Sequence, residues 1–144
     1  MEGISLTPLK IISGDGGNVL HALKSFEDSF TEFGEAYFST VNHNIIKGWK
    51  KHTVMISNII VPTGEIQFIF YDDRPESDSY KQFFEVILST KNYQRLSVQP
   101  GIWMAFKGIS HDLNLLLNIS SVAHDPMECE LLSLENDTIP NYFI

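Results

Sequence analysis

Between Ile45 and His52 the chain reads IIKGWKKH, which sets three lysines, a tryptophan and a histidine within eight residues. Such a set can hold an anion, move a proton near neutral pH, or do both. An imidazole titrates near neutrality and needs no large shift to act as a base. A lysine, ordinarily near pKa ~10.4, would have to be lowered by about 2–3 units for the same work. Apolar walls and neighbouring cations push in that direction. If the segment is a regular strand, Lys50 and His52 share one face, Lys51 points away, and Lys47 is at most a diagonal neighbour. Lys50 therefore reads as a base, an anion binder or a solvated cation. His52 reads as a base, a ligand contact or a satisfied structural histidine. His124, in Ala123-His124-Asp125-Pro126, is a further candidate proton donor or ligand contact, or simply an exposed turn residue. Trp49 and Trp103 either wall a pocket by stacking or fill a core.

These groups need a scaffold, and the sequence describes one built from strands. The run from Val54 to Val61 is nearly continuously apolar and β-branched, and Pro62-Thr63-Gly64 after it predicts a hairpin turn. Glu65 to Tyr71 then alternates, with Ile66, Phe68 and Phe70 on one face and Gln67, Ile69 and Tyr71 on the other. Asp72-Asp73-Arg74 at its end predicts an internal ion pair. Further short strands are expected at 4–12, 19–24, 34–41, 83–88, 95–98, 103–106 and 113–119, punctuated by turn residues. The segment 25–33 spaces Phe26, Phe30 and Phe33 like one helical turn, which an irregular loop explains equally well. Strands at roughly ten-residue intervals without a long helical pattern predict an all-β barrel or sandwich. No repeat, low-complexity stretch or linker divides residues 1–144, so a single domain is expected.

Composition narrows the function classes. Hydrophobic residues make up 43% and charged residues 19%, as in a folded soluble domain, and ten Phe, five Tyr and two Trp favour β structure. A net charge of −8 argues against nucleic acid or an anionic membrane as the general partner. Cys129 is the only cysteine, which leaves no intramolecular disulfide and no cysteine zinc site. The N-terminal MEGISLTPLK shows no basic-then-apolar leader, and no apolar run approaches the roughly 18 residues of a membrane span, so a cytoplasmic protein is expected.

The order YFSTV, IKGW-x-x-H, VPTGEIQFIFYDDR, QPGIW, LLLNISS, HDP and DTIPNYF resembles the dTDP-4-dehydrorhamnose 3,5-epimerases and their shorter relatives, from about Asp15 to Phe143. The resemblance implies a cupin-type jelly-roll β-barrel (double-stranded β-helix), a homodimer and a nucleotide-linked sugar as partner. It also implies epimerisation of a dTDP-4-keto-6-deoxyhexose in polysaccharide or deoxysugar biosynthesis. A 3,4-ketoisomerase and a barrel that binds a sugar nucleotide or a protein partner without turnover are the alternatives. In the family the base is the histidine of an RG-x-H motif, backed by an aspartate, and a tyrosine donates the proton. Here the motif arginine falls on Lys47, its glycine on Gly48 and its histidine on Lys50, while His52 stands where shorter relatives carry a second histidine. The tyrosine falls near Asn118, and a later family histidine on Met104. No counterpart of the aspartate is evident before the chain ends, four residues after Pro140. By this resemblance Lys50, His52 and His124 are the catalytic candidates, and Lys47, Trp49, Asn118 and Trp103 the substrate contacts. Metal-binding cupins use an H-x-H pair, a glutamate and a later histidine. With Lys50 and Met104 in two of those places, no metal and no other cofactor is expected. The apolar face Ile66, Phe68, Phe70 offers a second hydrophobic surface for the dimer, or else the barrel core.

Overall fold

The computed structural model describes residues 1–142; Phe143, the last residue of the resembling stretch, lies outside the described residues. Twelve strands account for nearly all the regular structure: β1 (Ile4–Pro8), β2 (Ile11–Ile12), β3 (Val19–Leu20), β4 (Glu35–Thr40), β5 (Ile46–His52), β6 (Ser57–Thr63), β7 (Glu65–Asp72), β8 (Phe83–Ser89), β9 (Gln94–Val98), β10 (Ile102–Gly108), β11 (Leu115–Ser120) and β12 (Cys129–Leu131). Among the described residues the one helical element is a 3-10 turn at Pro126–Glu128. Ser25 to Phe33 forms turns without a helix, so the irregular reading of its spaced phenylalanines holds.

The strands build two five-stranded antiparallel sheets, β1-β9-β6-β11-β4 and β12-β5-β10-β7-β8, with β2 and β3 as a separate ribbon. This is the cupin-type jelly roll. Between the sheets lies a core that includes Ile59, Val61, Ile66, Phe68, Phe70, Leu96 and Leu116. The apolar face of β7 therefore points into the barrel and offers no second surface for a dimer. Burying a side chain of that size is worth about 1.5–3 kcal/mol, which makes the interior the favoured place for it.

The chain does not form a hairpin at Pro62-Thr63-Gly64. Pro62 and Thr63 belong to β6, and β6 and β7 lie in different sheets. Leu115 pairs with Thr63 and Leu117 with Ile60, so Leu116 faces two residues, Val61 and Pro62. A bulge is where a proline, which lacks a ladder N–H, fits a strand. Gly64 then turns the corner at φ +79°, where a Cβ would lie 2.3 Å from the Leu113 carbonyl oxygen.

A second cluster covers the outer face of the β5–β10–β7 sheet. Trp49, Ile69, Tyr71, Trp103, Ala105 and Ile139 are buried there under Leu132, Leu134 and Tyr142 from the C-terminal segment. At the end of β7 the Arg74 guanidinium donates to both oxygens of the buried Asp72 carboxylate, at 2.8 and 2.7 Å. Burial alone would raise the Asp72 pKa, but Arg74, Ser77 and Ser79 hold it well below the usual carboxylate range.

Candidate functional site

A cavity of about 550 Å³ opens between the two sheets. One wall carries Lys47, Lys50 and His52 from β5, with Met104 and Phe106 from β10 and Leu131 from β12. The facing wall carries hydroxyl and amide groups: Tyr37 and Ser39 from β4, Ser57 from β6 and Asn118 from β11. Cations and an imidazole thus look across at neutral hydrogen-bonding groups, over a largely apolar floor.

The placement of the β5 side chains depends on an irregularity. Lys47 pairs with Phe106 and Lys50 with Met104, so Ala105 alone faces both Gly48 and Trp49. The peptide joining those two residues is cis. Two residues against one is a bulge, and it resets the side-chain alternation. Lys47 and Lys50, three apart, would occupy opposite faces of a regular strand; the bulge puts both on the cavity wall. Gly48 is required here, because at φ +147° a Cβ would meet the Ala105 Cβ at 2.5 Å.

The same shift sends the Trp49 indole to the outer cluster, where the residue is 1% exposed. Trp49 borders the cavity but is core, not a stacking platform. Trp103 does not line the cavity. Its indole N–H donates to Asp73 at 2.8 Å, and the Lys51 ammonium lies 4.6 Å from its ring centre. The period-two rule places Trp103 and Lys51, which are paired in the sheet, on the outer face together. His124 is exposed in the loop before the 3-10 turn and is not among the lining residues.

His52 is held by Glu128, a residue the sequence did not mark. Glu128 closes the 3-10 turn that Asp125 caps, and β12, starting at the next residue, is in register with His52. Its Oε2 accepts from His52 Nδ1 at 2.5 Å. Its Oε1 accepts the backbone N–H groups of Thr53, Val54 and Met55 at 3.0, 2.8 and 2.7 Å. Burial pushes the Glu128 carboxyl pKa up, but the His52 and backbone hydrogen bonds outweigh it, and the net direction is down. The His52 pKa is lowered, first by burial and then by the Lys50 charge, against the opposing pull of Glu128. A neutral imidazole that donates from Nδ1 to a carboxylate keeps its Nε2 lone pair, the arrangement of a general base.

The two lysines differ. Lys47 Nζ donates to the Thr40 carbonyl at 2.6 Å and to Ser39 Oγ at 3.3 Å, so it ties the edge strand β4 to β5. Lys50 makes no hydrogen bond or ion pair with another described residue, which leaves its ammonium for an anion in the cavity. On the opposite wall Asn118 Nδ2 donates to Tyr37 Oη and to Ser120 Oγ, both at 3.0 Å. Asn118 Oδ1 is buried without a hydrogen-bond partner. Tyr37 was legible only through the alternation that sets it beside Ser39 on one face of the predicted strand. For Glu128 no signal existed, since 76 residues separate it from His52. Among the described residues no three His, Cys, Asp or Glu side chains gather as a metal site. No helix among them is long and apolar enough to cross a membrane.

No protein-family profile matches the sequence. Among curated proteins, the probable low-salt glycan biosynthesis epimerase Agl13 of Haloferax volcanii is 24% identical over 127 residues, 87% of this chain and 81% of that protein. Among solved structures, a sugar 3,4-ketoisomerase, QdtA of Thermoanaerobacterium thermosaccharolyticum, superposes with a TM-score of 0.75 at 17% identity, over 90% of this chain and 88% of that one, which speaks to the fold. A dTDP sugar isomerase from Desulfovibrio desulfuricans superposes with a TM-score of 0.93 at 34% identity, over 96% of this chain and 89% of that one. An identity of that size over nearly the whole of both chains, on the same jelly roll, places this protein in the dTDP-sugar epimerase and isomerase family of cupins.

Proposed function

We propose that this chain is an active isomerase that moves a proton at the carbon beside the ketone of a dTDP-linked 4-keto-6-deoxy sugar, in deoxysugar or polysaccharide biosynthesis. The observation that carries this is the His52–Glu128 pair on the cavity wall. It supplies an oriented neutral base in a chain where the family's motif histidine is replaced by Lys50. His52, not Lys50, is the base, because His52 alone has a carboxylate that fixes its tautomer. Removal of the proton puts negative charge on the ketone oxygen, and the unengaged Lys50 ammonium supports an anion at that wall. A cation beside apolar walls acts on such charge more strongly than it would in bulk solvent. Asn118 is the sugar contact on the opposite wall. Lys47 contributes charge at the rim while bracing β4. His124 lies outside the cavity lining, but its charge, when present, works with that of Lys50 to lower the His52 pKa.

The protein works as a single domain and as a cytoplasmic homodimer. In the homodimer, the apolar outer surface around Phe33 and Phe38, 64% and 65% exposed, would be covered by the second subunit. The test is NMR of dTDP-4-keto-6-deoxyglucose with the protein in deuterated water. Deuterium is expected at a carbon flanking the ketone with wild-type protein and with no detectable rate for His52→Asn. Binding of the sugar nucleotide without exchange at any carbon would refute catalysis.

A further inference from the structure

The outer face of the β1-β9-β6-β11-β4 sheet, turned away from the His52 cavity, divides into two halves. On β11 and β4 it is apolar, with Leu117, Ile119, Ala36 and Phe38, and the proposed homodimer covers that half. On β1 and β9 it is polar. Leu96 and Val98 face the core, which turns Arg95 and Ser97 outward, and Ile4 and Leu6 do the same for Ser5 and Thr7. The register sets Ser5 beside Ser97 and Thr7 beside Arg95. Loop residues 26–29 complete a cavity of about 640 Å³ over them. Arg95 is 1% exposed, and its Nη1 donates to the Ala22 carbonyl at 2.9 Å and to Glu27 Oε2 at 2.6 Å. Arg95 Nε and Ser29 Oγ are buried without a hydrogen-bond partner. Around them the side chains of Ser5, Thr7, Asp28 and Gln99 bond to no described residue, which leaves their donors and acceptors for a bound molecule.

We infer that this cavity is a second ligand site, for an uncharged pyranose sugar, on the opposite face of the sheet from the catalytic cavity. Glu27 balances the guanidinium and Asp28 adds a second carboxylate, so an anion such as phosphate is repelled. The buried guanidinium opposes a cation in turn. A neutral polyhydroxylated molecule meets neither barrier. Its hydroxyls donate to the Asp28 carboxylate and the Gln99 carbonyl, and accept from the hydroxyls of Ser5 and Thr7. The bonds to the charged carboxylate are the stronger kind. Phe26, 80% exposed at the rim, offers a flat apolar face to the C–H side of a sugar ring. An open-chain polyol has no such flat side, so the ring form is the one that fits. None of these residues lines the His52 cavity, so this site and turnover at His52 stand or fall separately.

The test titrates the ¹⁵N-labelled full chain with methyl α-D-glucopyranoside, methyl α-D-mannopyranoside and methyl α-L-rhamnopyranoside, and separately with inorganic phosphate, following amide shifts by NMR. A sugar of about a dozen heavy atoms is expected to bind with a dissociation constant of about 1–10 mM, so the titration runs to ~50 mM. At least one glycoside is expected to shift the amides of Ser5, Thr7, Ser97 and residues 26–29 in a saturable way, with Lys50 and His52 unmoved and phosphate without effect. Phe26 and Asp28 are both exposed, so Phe26→Ala and Asp28→Asn keep the fold. Each is expected to weaken binding by roughly 3- to 10-fold. No saturable shift with any of the three glycosides would overturn the inference, as would shifts confined to the His52 cavity. Saturable shifts of the same amides by phosphate, or unchanged affinity in both variants, would overturn it as well.

Discussion

Glu128→Gln separates the role of the carboxylate as a proton-positioning group from its role in the fold. Glutamine keeps the volume of the side chain, and its one oxygen can still accept from Thr53, Val54 and Met55. The other atom becomes an NH₂ donor where the 2.5 Å bond from His52 Nδ1 is now accepted. Two donors cannot face each other, so the imidazole must carry its proton on Nε2 and turn Nδ1 into the acceptor. The lone pair that serves the cavity is then gone. The same tautomer error in a serine-protease triad costs ~10⁴ in kcat, and a positioned base is worth ~10²–10⁴. We expect kcat to fall by ~10³ with KM changed by less than about threefold, since the ring still occupies its place. Loss of the charge on four hydrogen bonds should cost about 2 kcal/mol of stability. Glu128→Ala does something different. Thr53 and Val54 are exposed and can take water in exchange, but Met55 is buried, and its stranded N–H alone should cost about 1–3 kcal/mol. The direct assay is the pair of ¹⁵N shifts of the His52 ring at pH 7. Wild type should show Nδ1–H with a bare Nε2, and Glu128→Gln the reverse. A protonated ring or an Nε2–H tautomer in wild type, or a wild-type kcat in Glu128→Gln, refutes the reasoning.

Because burial and the Lys50 charge lower the His52 pKa, kcat/KM should lose its acid limb below the ordinary imidazole value of about 6.5. Lys50→Gln removes a cation that opposes protonation, so the limb should move to higher pH. It should also lower kcat by roughly 10- to 100-fold, the worth of one charge-assisted hydrogen bond to the developing enolate oxygen, as read by steady-state kinetics. Stability follows the same sign. The folded state binds the His52 proton less readily than the unfolded chain does, so this contribution is present above about pH 6.5 and is lost as pH falls below it, which urea unfolding at stepped pH will report. Arg74→Ala leaves the buried Asp72 carboxylate with two serine hydroxyls and the backbone N–H of residue 74, and should cost about 3 kcal/mol, the lower end of breaking a buried pair, measured by the urea midpoint. Gly48→Ala forces a Cβ to within 2.5 Å of the Ala105 Cβ at a positive φ, and should cost about 1–3 kcal/mol by thermal unfolding.

The strands were legible because their signal is local. Val54 to Val61 and Glu65 to Tyr71 announce themselves by β-branched content and alternation, and the turn residues between segments do the rest. Which face of a strand looks inward is a different question, and β5 shows why. Period-two reasoning from Lys50 and His52 was correct for the part of the strand from Trp49 to His52, and it failed at Lys47. A single two-against-one bulge opposite Ala105 lies between them, and a bulge is a property of the pair of strands, not of either sequence. The hairpin expected at Gly64 failed for a related reason: a tight turn fixes the change of direction, but not whether the next strand pairs with its neighbour or crosses to the other sheet. The site follows the same division. His52 could be singled out by residue type, because few side chains titrate near neutrality. The carboxylate held against it could not, because Glu128 sits just before a three-residue strand whose register with β5 exists only in the folded sheet. The two opposed walls of the cavity are likewise a consequence of β4 and β5 ending up in different sheets. Any sequence-level transfer of a catalytic residue assumes that a role stays on its strand. Here the carboxylate that meets His52 comes from the turn before β12, so the site is better sought by what faces His52 across the cavity than by what aligns with it.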